Sequence, residues 1–330
     1  MTLSRPVLIT GLLALTLVAA IGSILFGPVH LSLARMVAAF TGHGDRIAST
    51  ILLELRLPRM LLGLGVGAML GLAGAALQGY LRNPLAEPAV LGTSNAASLG
   101  AVAALYFGLA ELHPIMLPAL SVLAALLSLV GLSVLAGRSE SPLTLILAGI
   151  AIATLATAGV SLALNLSPNP FAAMEIMTWL LGSLENRSFD HVWIAYPCIA
   201  IGGLLLFWDG RALDALTLGE DGAQALGVDI QRTRIRLLLG TAIGVGGAVA
   251  VSGAIGFVGL IVPHLVRPLT DRSPSAILLP SAIGGAALLT FADLAVRLID
   301  TRNELKLGVV TAFLGVPVFL IHLMRERRLW

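Results

Sequence analysis

The sequence predicts an all-α polytopic membrane protein with about ten transmembrane helices. Three observations carry this. Hydrophobic residues make up 57% of the chain and charged residues 12%, against about 25% charged in an ordinary soluble domain. Mean hydropathy is +0.96. Long uncharged stretches recur at 6–29, 60–81, 88–110, 114–137, 141–174, 192–208, 237–263 and 274–292, and a last apolar run at 307–321 precedes a basic tail. A helix needs roughly 20 apolar residues to cross the hydrocarbon core, and ionised groups are costly there, so these stretches are where the chain can cross.

Taken in order, the first run gives a span at 7–26. Arg5 alone precedes it and no small-residue cleavage site follows, so it reads as a span and not a secretory signal. The second, 57–81, opens on Arg56-Leu57-Pro58-Arg59, where Pro58 suits a first helical turn. The third and fourth are 93–109 and 116–136. Stretch 141–174 is too long for one perpendicular crossing, and Ser167-Pro168-Asn169-Pro170 breaks it. That leaves a span at 143–164 and a short amphipathic helix over 171–184, lying outside the membrane on the outer side. The sixth span is 192–208. Stretch 237–263 is also too long, and Gly253 and Gly256 are turning points between a full helix at 235–251 and a short one at 257–268. Spans at 276–299 and 306–324 complete a single transmembrane domain over 1–330.

An even count puts both termini on one side. Twelve basic residues fall on that side, Arg138, Arg325, Arg327 and Arg328 among them, against eight opposite, including Arg302. The excess favours cytoplasmic termini, although Arg35, Arg46, Arg56 and Arg59 all lie between the first two spans on the other side. Gly63, Gly67 and Gly71 form a small-residue stripe, and Gly240, Gly244, Ala248 and Ser252 form another; such stripes let helix backbones approach closely in lipid. The two stretches also align at a constant offset of 179, pairing Gly74 with Gly253 and Pro84 with Pro263. Either a decayed internal repeat or tight packing alone explains that.

Several function classes are excluded. The net charge of +2 is too small to suggest a nucleic-acid partner, and a lone Cys198 allows no intrachain disulfide. Asn186-Arg187-Ser188 fits a glycosylation acceptor and is taken as coincidence. No two of the six histidines have metal-ligand spacing, so no metal site is expected. The one lysine, Lys306, follows Leu305, so the chain has no P-loop for ATP. Asp293 is the one ionisable candidate inside a long apolar run. Arg297, four residues on, makes an interfacial ion pair a better reading than a proton relay. A self-contained secondary transporter or an intramembrane enzyme would need ionisable groups converging at depth, and none is seen; the energy source is expected outside the chain.

Two polar regions remain as candidate sites. Segment 211–236, with its docking part at about 211–234, reads as two short helices broken at glycine. Leu216, Leu218, Ala223 and Leu226 offer it an apolar face too small for a core. It is either a solvated loop or a docking surface for a partner. At the other side of the membrane, Arg56 and Arg59 are either interfacial anchors that snorkel or a positive patch for an acidic partner, to which Arg297 would add.

The motifs together resemble the permease family of bacterial ABC importers for iron–siderophore complexes, haem and cobalamin. In family order these are Arg56-Leu57-Pro58-Arg59, Arg82-Asn83-Pro84-Leu85-Ala86-Glu87-Pro88, Leu147-Ala148-Gly149, Trp179-Leu180-Leu181-Gly182-Ser183 and Leu218-Gly219-Glu220 with Leu226-Gly227-Val228. Gly253-Ala254-Ile255-Gly256-Phe257-Val258-Gly259, Ala292-Asp293 with Arg297, and Glu304-Leu305 close the series. Lys306 departs from it, standing where the family usually has proline. The resemblance implies the type II ABC importer permease fold in the bacterial inner membrane, as a homodimer surrounded by lipid. It implies two cytoplasmic ATPase subunits that use ATP and magnesium, no cofactor held by this chain, and a periplasmic binding protein. It further implies that Leu218, Gly219, Glu220, Asp221, Ala223, Leu226 and Gly227 couple to the ATPase. Arg56, Arg59 and Arg297 would receive carboxylates of the binding protein.

Overall fold

A computed structural model describes residues 4–137, 141–299 and 304–326. Arg138, Arg302, Arg327 and Arg328 of the charge balance lie outside them. The described chain is helical, without strands, and its ten principal helices answer to the ten expected spans. They are α1 (Arg5–Leu25), α2 (Leu57–Leu81), α3 (Thr93–Tyr106), α4 (Met116–Ala136), α5 (Pro142–Asn165), α6 (Phe189–Trp208), α7 (Ile230–Ser252), α8 (Val258–Val266), α9 (Pro274–Leu298) and α10 (Leu307–Glu326). A backbone in lipid must satisfy its own hydrogen bonds, which selects helices. Seven of these helices (α1, α2, α4, α5, α6, α7 and α9) are long and apolar enough to cross a bilayer. At 1.5 Å rise per residue, the 14 residues of α3 and the 9 of α8 fall short.

The helices sort by burial. Most of α2, α7 and α9 is buried, and these three form the centre. Helices α1, α4, α5 and α6 stand outside and expose large apolar side chains such as Leu17, Val134, Leu155 and Leu204. An apolar exterior of this kind is the expected lipid-facing surface.

The structure adds helix where charges had broken the apolar run. The chain is helical from Arg46, where the Asp45 side chain accepts from the Ala48 N–H, and a π turn over Thr50–Arg56 leads without a break into α2. The extramembrane helix expected over 171–184 spans Pro170–Leu180, capped by Asn169. It stops early because Gly182 turns to φ 72°, at a point where a β-carbon would lie 2.6 Å from the carbonyl oxygen of Ala254. The expected turn at Gly253 follows α7 directly (φ 70°). Gly74, its partner in the constant-offset alignment, lies inside α2. The two backbones therefore differ at this pair, and close packing accounts for the glycines of both stripes.

The α2 stripe faces α9. A β-carbon on Gly67 would lie 2.3 Å from the carbonyl oxygen of Gly285, and one on Gly71 would lie 2.2 Å from that of Ser281. The contact is reciprocal, since a β-carbon on Gly285 would meet the Gly67 carbonyl at 2.2 Å. Gly63 is looser, its nearest neighbour being Thr290 Oγ1 at 3.2 Å. In the second stripe, Gly240 packs against Gly202 of α6, and Gly244 receives the side chain of Met69. Backbone cannot yield as a side-chain end can, so Gly67→Ala should overpack α2 against α9 and cost about 1–3 kcal/mol. Thermal unfolding in detergent should show a lowered Tm for it. Gly203→Ala, whose β-carbon would meet only Leu72 at 3.8 Å, should leave Tm unchanged.

Candidate functional site: an arginine cluster and a polar hairpin at opposite ends

The first cluster joins the C-terminal ends of α1 and α9 to the N-terminal end of α2. The last carbonyls of a helix have no partner within it and carry partial negative charge. Arg56 meets those of α1: its guanidinium donates to the carbonyls of Ile24 at 2.8 Å, Leu25 at 3.0 Å and Val29. Arg297 donates to the Ser23 carbonyl at 3.1 Å and to Ser23 Oγ at 2.6 Å. Between them lies Asp293, its side chain 2% exposed. It takes Arg59 Nη2 at 2.8 Å and Arg297 Nε at 3.2 Å. The other edge of Arg59 is held by both carboxylate oxygens of Glu304, just before α10.

The three arginines therefore come together, but neither expected posture of Arg56 and Arg59 is seen. They do not snorkel and do not form an open patch: Arg56 and Arg297 are buried and Arg59 nearly so. The reason is electrostatic. Asp293 needs a cation once it leaves water, and the end of α1 needs donors. The Asp293–Arg297 pair expected at i, i+4 is present, with Arg59 as a second cation on the same carboxylate. The sequence reading missed Glu304 as a partner, although it belongs to the quoted Glu304-Leu305 motif. It also missed the pair of Lys306 with Glu185 at 2.8 Å, which is what the departure at Lys306 does locally. A cleft of about 220 Å³ opens over the cluster, lined by Val29, Arg56, Arg59, Arg187, Arg297 and Glu304 among others.

At the opposite end, between α6 and α7, segment 211–236 contains the short helices Gly210–Leu216 and Glu220–Ala225, parted at Gly219 (φ 93°). Asp209 anchors it to Arg236 at 2.5 Å. Asp214 accepts from the N–H and hydroxyl of Ser275 at the start of α9, at 2.9 and 2.6 Å. The expected single apolar face is divided: Leu216 and Ala223 join the buried core, whereas Leu218 and Leu226 stand 69% and 65% exposed. Asp221 is exposed, Glu220 lies 3.9 Å from Arg82, and Gly227 turns the chain at φ 84°. Nearby, Gln78 accepts from Arg267 at 2.8 Å and donates to the Gly259 carbonyl, tying α2 to α8.

A third feature is a cavity of about 320 Å³ lined by Glu87, Ser94, Asn95, Thr157 and Phe257 among others. Burial pushes the Glu87 carboxyl above the usual carboxylate range, and the Phe257 N–H partly offsets this.

A bundle of helices long and apolar enough to cross a membrane, with polar clusters at its two ends, defines a polytopic membrane protein. Residues 15–325 match the FecCD transport family, and the chain belongs to that family: it is the permease of an ABC importer. It is 44% identical over 278 residues to the vitamin B12 import system permease BtuC of Vibrio cholerae, covering 83% of this chain and 82% of that one. It is 40% identical over 277 residues to the Fe(3+) dicitrate transport system permease FecD of Escherichia coli, covering 84% and 86%. Among solved structures, an inward-facing chain assigned to the metal-chelate type of ABC transporter superposes with a TM-score of 0.87 at 29% identity, covering 97% and 99%.

Removing one member of a buried ion network leaves the others uncompensated, at about 3–5 kcal/mol. Asp293→Asn should therefore sharply lower Tm in detergent. Arg35→Gln, which breaks only the exposed pair with Asp45, should leave it unchanged.

Proposed function

We propose that this chain carries a metal chelate, of the iron–siderophore or haem type, from a periplasmic binding protein into the cytoplasm across the bacterial inner membrane. The energy comes from separate ATPase subunits, which bind ATP and magnesium; this chain contributes the path and the two docking ends. The observation that carries the reading is the division of segment 211–236. Its inward residues Leu216 and Ala223 make it a rigid part of the bundle, and its outward Leu218 and Leu226 are large apolar groups beside Glu220 and Asp221, at an end where a lipid contact is not required. Exposed apolar side chains on an anchored support are a docking surface. In this reading Leu218, Leu226 and Asp221 touch the ATPase, while Gly219, Ala223 and Gly227 set the shape that presents them.

The arginine end then faces the periplasm and the binding protein, with both termini cytoplasmic. Arg56, Arg59 and Arg297 supply its positive field from below the surface, and they attract an acidic partner without offering a free guanidinium. Two copies of the chain, paired so that the Glu87 cavity and the exposed hydroxyl-bearing face of α5 (Thr154, Thr157, Ser161) meet across the axis, would enclose a path between them. A second reading of the cargo, cobalamin, is favoured by the identity to the Vibrio permease.

Leu226→Asp places a charge in the proposed ATPase contact, which costs several kcal/mol when the contact forms. The variant should remain folded and monodisperse, yet fail to capture the ATPase in a pull-down and fail to support ATP-driven uptake. Capture at wild-type yield would contradict the docking role of this segment.

A further inference from the structure

At the end of the bundle that carries segment 211–236, an open cavity of about 370 Å³ lies between the end of α2 and the start of α9. Arg82, Arg267 and Arg272 line it, and no carboxylate of the described residues does. The Glu87 cavity and the cleft over the arginine cluster both have glutamate on their walls. Direct contacts hold the three arginines together. Arg267 donates at 2.8 Å to Gln78, one turn before Arg82 on α2. Thr270 Oγ1 donates to the Arg267 carbonyl at 3.1 Å and accepts from the Arg272 N–H at 3.2 Å. A β-carbon on Gly79 would lie 3.1 Å from Pro274, the first residue of α9.

The acids near this cavity are engaged elsewhere or stand back from it. Asp271 accepts from the N–H and hydroxyl of Ser273 at 3.0 and 2.8 Å, and Asp214 is taken by Ser275. Glu220 comes no nearer to Arg82 than 3.9 Å. Arg272 is exposed, and its side chain has no hydrogen bond or ion pair among the described residues. Asn83 Oδ1 accepts from the Leu85 N–H at 2.9 Å, which leaves its amide nitrogen as a further donor. The backbone adds an independent sign. Arg82 (φ 48°) and Arg272 (φ 68°) are two of the four non-glycine residues with left-handed backbone among those described. Such positions ordinarily fall to glycine or asparagine, and here both put a guanidinium on the wall of one cavity.

The cavity also adjoins a lipid-facing helix. The N–H and hydroxyl of Ser273 hold the Asp271 carboxyl below its usual range, and the charge of Arg5, at the start of α1, adds to this. Arg5 is therefore close to Asp271, and α1 brings the exposed Val7 to the same corner. We propose that Arg82, Arg267 and Arg272 bind one phosphate group. Guanidinium forks match phosphate oxygens, and basic pockets between membrane helices take anionic headgroups. Two sources share this chemistry, the phosphodiester of an anionic lipid and free inorganic phosphate; the adjoining α1 favours the lipid. The docking reading above makes this the cytoplasmic leaflet, but the site itself does not depend on that reading.

The test is native mass spectrometry of the full-length permease in detergent, titrated with phosphatidylglycerol, phosphatidylcholine or inorganic phosphate. No ATPase is present, so the outcome is separate from that of the docking reading. Wild type should retain one phosphatidylglycerol in preference to phosphatidylcholine. Arg272→Gln and Arg82→Gly should each weaken that retention about fivefold. Arg82→Gly suits the left-handed turn, so its Tm without lipid should stay the same or rise. Arg211→Gln removes an exposed arginine at the same end but outside the cavity, and should leave retention unchanged. Retention of inorganic phosphate that the same two variants weaken, without a preference for phosphatidylglycerol, would keep the site and assign it to free phosphate. Retention of both probes unaffected by Arg272→Gln and Arg82→Gly would overturn the site. Equal weakening by Arg211→Gln would overturn it in favour of diffuse charge. A fall in Tm of both cavity variants that matches their loss of retention would overturn it in favour of a structural role.

Discussion

The buried carboxylate of Asp293 is the interaction on which this end of the molecule depends. It lies deep on α9, where an unpaired charge would be costly, and it is acceptable because Arg59 reaches it from α2 and Arg297 from one turn along α9. Each arginine then has donors left over. Arg59 spends its own on Glu304, which fixes the approach to α10, and Arg297 spends its own on Ser23 of α1. Arg56 closes the end of α1 in the same way. One aspartate thus accounts for two of the three inward-pointing arginines, the carbonyls at the end of α1 account for the third, and together they make the junction of four helices at the proposed periplasmic mouth.

That network can form only if the helices carrying it are close together. Gly67 and Gly71 of α2 and Gly285 of α9 bring the two backbones into direct contact, so the short reach of Asp293 suffices. In lipid, apolar side chains gain little from leaving their surroundings, and association relies on packing and internal polar contacts. Glycine contact in the middle and ion pairing at the end are two parts of one α2–α9 attachment. The proposed ATPase end is built more lightly, from Asp209 with Arg236 and Asp214 with Ser275. Its exposed leucines, Leu218 and Leu226, sit in the turns that follow short helices and not on long spans, which suits the proposed docking role.

Much of the architecture was legible because lipid imposes a simple rule on composition. Uncharged runs marked the helices, and proline and glycine marked the breaks after α5 and α7. The helix from Arg46 to Arg56 was hidden because Glu54 and Arg56 interrupt its apolar character, although both are tolerated near the end of a bundle. The arginines were found by position, but their orientation was not legible. Sequence spacing shows that Arg56 and Arg59 share a face, and gives no sign that Glu304, about 245 residues on, holds one of them. The division of Leu216 from Leu218 and Ala223 from Leu226 was equally hidden, since it depends on the turn at Gly219 and on what α2 and α9 present behind it. The single lysine looked like a defect in a motif, and it proves to be half of an ion pair with Glu185.

In the function proposed above, the energy for transport enters through a separate ATPase docked on this chain and not through an ion gradient acting on the chain itself. Uptake into proteoliposomes measures this directly, with the permease reconstituted alone or with its ATPase, ATP inside or outside, and an uncoupler present or absent. Uptake should require the ATPase, ATP on the ATPase side and the binding protein on the other, and should be indifferent to the uncoupler. Uptake by the permease alone, driven by a proton gradient and abolished by the uncoupler, would contradict the account.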